Sequence, residues 1–170
     1  LATMIANVNS IYHRQLNIVV QIGTLYVAGD AAPPAWNAPG DSKARLNLFT
    51  NWEKPKSEGG WHMLYDEPAG GGIAFVGTFC TEPRNTALTG WKQDGSSWEI
   101  FAHELGHNFA ALHPFDMMGV AHGVIGGVMD YAGEVLDGDV QFAPINREQT
   151  CDFLAKTIPQ CPFFQPFAPE

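Results

Sequence analysis

Apolar side chains fall at Met4, Ile5, Val8, Ile11, Tyr12 and Leu16, and this recurrence predicts a helix over residues 1–16. Residues 17–27 (NIVVQIGTLYV) are rich in β-branched side chains and predict a strand. Three prolines between Ala31 and Gly40 mark a loop. Ser42 suits the N-cap of a helix with Leu46, Phe49 and Trp52 on one face, ended by Pro55–Gly60. Short strands are predicted at Trp61–Tyr65 and, beyond the turn at Gly70-Gly71-Gly72, at Ile73–Val76. Arg84–Ser96 is polar and predicts a loop. Ser96 or Ser97 caps a helix that buries Trp98, Ile100, Phe101, Leu105 and Phe109. Pro114–Gly127 reads as irregular chain, Gly127–Tyr131 as a compact apolar turn, and Arg147–Lys156 as a last helix with Phe153 and Leu154 inward. The tail is proline-rich, and no internal repeat is present. These signals sum to an α/β (α+β) fold, a mixed sheet with a few helices.

Length and charge narrow the classes. The 170 residues suit one domain, and 45% hydrophobic content allows a sizeable core. A formal net charge of -9 argues against nucleic acid and anionic membrane surfaces as partners. No apolar run is long enough to span a bilayer. The first ten residues lack a charged n-region, so they are not a signal peptide, and a start without Met reads as a processed product. Three cysteines, Cys80, Cys151 and Cys161, permit one bridge and leave one thiol over.

The chemistry concentrates in His103-Glu104-Leu105-Gly106-His107-Asn108-Phe109-Ala110-Ala111-Leu112-His113. Residues four apart share a helix face, so His103 and His107 can address one metal ion. Glu104 can reach a metal-bound water without being a ligand. That is the layout of a zinc hydrolase, and His113, six residues past His107, is the candidate third ligand. A continuous helix would carry His113 away, so the chain must turn after about Phe109.

This stretch resembles the long zinc motif of the metzincin metalloproteases, and its wording is similar to the adamalysin (reprolysin) group. Met129 within Gly127–Tyr131 resembles the methionine turn of that clan. Gly72–Cys80 is similar to the group's edge-strand motif ending in cysteine, and Asp152-Phe153-Leu154 with Pro159-Gln160-Cys161 to its C-terminal helix and terminal cysteine. The resemblance implies a metzincin-like zincin fold over residues 1–170, with a mixed twisted sheet, an antiparallel edge strand, an active-site helix and a methionine turn. It implies Zn²⁺ held by His103, His107 and His113, Glu104 as general base, a structural Met129 and a Cys80–Cys161 disulfide. It implies a polypeptide substrate laid along Ile73–Val76, and a secreted or extracellular location, including the ectodomain of a larger precursor.

Departures from the family pattern are also plain. Ala110 stands where the family has glycine, and Pro114 follows the third histidine with Asp116 displaced beyond it. Tyr131, two residues past Met129, is either a phenol donor to the tetrahedral intermediate or a packed aromatic. The family's first strand, interior to its sheet, is missing at the N-terminus, which predicts an upstream propeptide or a partner chain completing the sheet. Cys151 is either buried and inert or bridged to that missing segment. His13 reads as a surface residue, His62 as core or cleft, and His122 as a solvated loop residue or a substrate contact. Asp137-Gly138-Asp139 suggests Ca²⁺ or an acidic turn. Two functions follow: a zinc endopeptidase, or a weakly active or inactive metzincin-fold module serving as a structural or binding part of a larger extracellular assembly.

Overall fold

The computed structural model describes residues 1–29, 34–37, 40–67, 70–131 and 135–166. Helix α1 (Ala2–Leu16) buries Met4, Val8, Ile11, Tyr12 and Leu16, the predicted stripe. Helix α2 (Ser42–Asn51) is capped by Asp41, not Ser42: the Asp41 carboxylate accepts from the Ala44 amide at 2.9 Å. Half of the predicted proline loop lies outside the described residues, and Ala35–Asn37 within it form a 3₁₀ turn.

Strand β1 (Trp61–Asp66) alternates cleanly, with Trp61, Met63 and Tyr65 buried on one face. Strand β2 (Gly72–Ala74) is shorter than the predicted Ile73–Val76. Strand β3 (Thr86–Trp91) overturns the loop predicted over Arg84–Ser96: it is the centre of the sheet, in order β1-β3-β2, and five of its residues are buried. Its threonines disguised it. The Thr86 hydroxyl pairs with that of Thr50 at 2.8 Å, and Thr89 with His62 Nε2 at 2.8 Å, so polar side chains are buried without loss. Strand β1 runs parallel to β3, and β2 runs antiparallel to it at the edge, so the sheet is mixed as expected.

The strand predicted over residues 17–27 does not form. Asn17 is the left-handed cap of α1, and Val20 is held by the Asn9 side chain, which bonds its N–H at 2.7 Å and its C=O at 3.0 Å. Among the described residues no strand lies beyond β1 on that side to pair with the run. Leu25 and Val27 consequently remain 64% and 77% exposed.

Helix α3 (Ser97–Asn108) crosses the sheet. Ser97, one of the two expected caps, instead accepts the Lys92 amide at 2.7 Å, and Ser96 makes no side-chain cap bond. The predicted irregular chain after it contains a short helix, α4 (Pro114–Met118), started by a proline at its first position. Strands β4 (Val135–Leu136) and β5 (Asp139–Val140) form a small hairpin. Asp139 in that hairpin pairs with Arg14, and the calcium expectation gains no support: among the described residues only the three histidines below gather as a metal-capable group. Helix α5 (Pro144–Thr157) starts three residues before the predicted Arg147.

One core joins α1, α3, the methionine turn and α5; a second packs α2 against the buried face of β1. The Tyr12 hydroxyl donates to Ala102 O at 2.7 Å and so fixes α1 directly to α3. A Cys80–Cys161 disulfide ties the segment after β2 to the C-terminal end, as the resemblance implied. Cys151 is exposed, so it is not the buried, inert thiol, and it makes no bridge within the described residues.

Candidate metal centre and cleft

His103, Glu104 and His107 all face inward from α3. The helix ends at Asn108, and Ala110 follows with φ 70°, in the left-handed region. The Ala110 N–H bonds His107 O at 2.9 Å and the Ala111 N–H bonds Gly106 O at 2.9 Å, which is a Schellman ending. This is the turn the motif demanded, made with alanine at the position that glycine normally fills. It swings His113 back toward the helix.

The three imidazoles converge. His113 Nε2 lies 3.2 Å from His103 Nε2 and 3.1 Å from His107 Nε2. Each opposite ring nitrogen is occupied. His103 Nδ1 donates to Val128 O at 2.7 Å, His107 Nδ1 donates to Ala111 O at 2.8 Å, and His113 Nδ1 lies 3.2 Å from Asp116 Oδ2. Carbonyl and carboxylate oxygens only accept, so all three Nδ1 atoms carry the hydrogen. The three Nε2 atoms therefore face one another. Burial also holds His103 down to about 3 and His107 to about 4, so neither gains a proton near neutrality. Three converging ring nitrogens, each with its opposite nitrogen already bonded, form a donor set that fits a tetrahedral metal with one position left open.

Glu104 is buried beside them. Burial pushes its carboxyl up to about 8, and its Oε2 has no hydrogen-bond partner among the described residues. Gly72 of β2 comes directly over it: a Cβ there would meet Glu104 Cγ at 2.5 Å and Leu88 O at 2.7 Å. Below the helix, Met129 is fully buried, and a Cβ on Gly106 would meet its Sδ at 2.6 Å. The methionine turn thus packs against the one helix position without a side chain. Its neighbour Asp130 accepts from the Gly123 and Gly126 amides at 2.6 and 2.9 Å, which folds the preceding loop onto it.

A cleft of about 790 Å³ runs over this group, lined by β2, the three histidines, Leu112, Met117 and Tyr131. Tyr131 is 61% exposed, so it is not a core aromatic; its ring sits 4.5 Å from that of His113. His62 is core, stacked 3.9 Å from Phe101, while His13 and His122 are exposed. Sequence reasoning missed Asn108. Its amide donates to Phe75 O at 2.9 Å and Thr86 O at 3.2 Å, joining the helix end to the segment after β2 and to β3. Gly77 and Phe79 complete that junction by donating to His107 O and Asn108 O. An asparagine has no periodic signal of its own, so only its place inside the motif could have drawn notice.

Comparison with known proteins gives the family. The profile of metallo-peptidase family M12 matches residues 1–160. The chain belongs to that family. It is a reprolysin-like metzincin of metallopeptidase type, whose family is zinc-dependent. A curated relative, the disintegrin and metalloproteinase domain-containing protein B of Aspergillus fumigatus, is 30% identical over 180 residues, which cover 91% of this chain. The match spans 21% of the relative, about a fifth of its length.

Proposed function

We propose that this chain is a zinc-dependent endopeptidase, with His103, His107 and His113 as ligands and Glu104 as general base. The observation that carries the reading is the convergence of three Nε2 atoms whose rings are each fixed through Nδ1. Zinc bound there supplies Lewis acidity and one open coordination position. The chain's own groups do the rest. Glu104, buried beside the three rings with its Oε2 unpartnered among the described residues, is placed to take a proton from the attacking water as a carboxylate and return it to the leaving amine. Among the described residues strand β2 has β3 on one side only, and its open edge offers N–H and C=O groups to an extended peptide. That supports a polypeptide as substrate. Tyr131, exposed at the cleft wall, is positioned to meet the substrate rather than to fill the core.

A disulfide favours an oxidising compartment, which supports a secreted or extracellular location. No helix among the described residues is long and apolar enough to cross a membrane. The outer edge of β1 and the unpaired run 18–27 both lack a strand partner among the described residues. An extended segment contributed by an upstream propeptide or a partner chain would supply such a partner.

The test compares zinc stoichiometry and peptide hydrolysis in wild type and Glu104→Ala. Hydrolysis should fall about 10²–10⁴-fold with zinc retained. Full activity in Glu104→Ala would overturn the mechanism, and wild type that binds zinc but cleaves no peptide would favour the inactive-module reading.

A further inference from the structure

His103 and His107 are placed by a regular helix. His113 is not: it follows the left-handed Ala110 and stands in extended conformation just ahead of α4, with φ -65° and ψ 123°. Its Nδ1 partner is also the weakest placed of the three, the carboxylate of a largely exposed Asp116 at 3.2 Å. Something else must fix this segment, and α5 reaches it with two side chains three residues apart on one face. Asn146, fully buried, donates through Nδ2 to Leu112 O at 2.7 Å. Gln149 accepts from Leu112 N at 3.1 Å. The two amides are themselves joined, Asn146 Nδ2 to Gln149 Oε1 at 3.2 Å. Gln149 Nε2 then reaches Met117 Sδ at 2.9 Å, so this one residue grips the chain on both sides of His113.

We infer that Asn146 and Gln149 are positioning residues for the third metal ligand, an amide clamp that holds both polar groups of Leu112 and so sets the direction in which His113 leaves the backbone. The inference rests on the zinc reading above. Groups that orient ligands from behind commonly change metal affinity by about 10–100-fold when removed. The clamp is the side-chain counterpart of what helix α3 does for the other two histidines.

The experiment uses the whole chain. Zinc affinity is measured by competition with a chromophoric chelator, and cobalt(II) is substituted to read ligand geometry from its visible bands. Melting of the metal-free protein in chelator reports folding. Asn146→Leu and Gln149→Leu should each weaken zinc by about 10–100-fold and shift the cobalt bands, with the metal-free melting point nearly unchanged for Gln149→Leu. Gln149→Glu keeps the acceptor oxygen for Leu112 and should recover most of the affinity. Asn146 is fully buried, so Gln149→Leu, on a half-buried side chain, decides the matter if Asn146→Leu does not fold. Unchanged zinc affinity and unchanged cobalt bands in folded Gln149→Leu would overturn the clamp while leaving the zinc reading intact. A wild-type chain that takes up no zinc would remove both.

Discussion

Replacing Ala110 by glycine should stabilise this protein, against the usual direction for that substitution. Ala110 has φ 70°, where an L-residue costs about 1–2 kcal/mol because Cβ crowds the following carbonyl. Glycine escapes that crowding but has more freedom to lose on folding, about 0.5–1 kcal/mol. The Ala110 methyl also gives up contacts: Gly77 lies so close that its own Cβ position is 3.4 Å from that of Ala110. A few atom pairs at ~0.1–0.2 kcal/mol each make this a loss of some tenths. The net is a gain of about 0.5 kcal/mol, or ~1–2 °C in melting temperature for a chain of this size. The assay is thermal and urea unfolding of Ala110→Gly in chelator, so that bound metal does not add its own stabilisation. Zinc affinity should rise by no more than about fivefold, since ~1 kcal/mol is all the turn can release. A variant less stable than wild type would show that the left-handed alanine is not strained and that the reasoning about this turn is wrong.

Other substitutions test the neighbouring contacts. Gly106→Ala places a better helix former in α3 yet should destabilise by about 1–3 kcal/mol, because the new methyl lands 2.6 Å from Met129 Sδ; equilibrium unfolding checks the sign. Opening the disulfide with Cys80→Ser and Cys161→Ser should cost about 4–5 kcal/mol for a sequence separation of 81, read as a shift in denaturation midpoint. Burial lowers His62 from 6.5 to about 3, so the neutral ring stabilises fully above 6.5 and loses that contribution as pH falls from there toward 3. Between pH 7 and pH 5 wild type should lose about 2 kcal/mol more than His62→Phe, at ~1.36 kcal/mol per unit, in parallel unfolding titrations of the metal-free proteins.

Much of the site was legible in the chain itself. His103, Glu104 and His107 needed only helical periodicity, and the turn before His113 followed from the failure of a straight helix to return it. The hydrophobic pattern did less well wherever polar groups are buried in pairs. Thr86 and Thr89 made the central strand look like loop, because their hydroxyls are satisfied by Thr50 and His62, partners distant in sequence. Residues 17–27 read as a strand on composition, yet a strand needs a neighbour, and no local signal supplies one. Asn108, Asn146 and Gln149 escaped for a similar reason: each acts through backbone atoms of another segment, so its value depends on tertiary placement.

The junction at Asn108 has a further consequence. The carbonyls of His107 and Asn108 accept from Gly77 and Phe79, and the Asn108 amide returns to Phe75, so the end of the histidine helix and the segment leaving β2 share one set of bonds. Under the proposed function, a peptide laid on the edge and a metal held by the histidines would act on this same junction. Thermodynamic reciprocity makes the two effects equal: whatever factor a bound peptide applies to zinc affinity, zinc applies to peptide affinity.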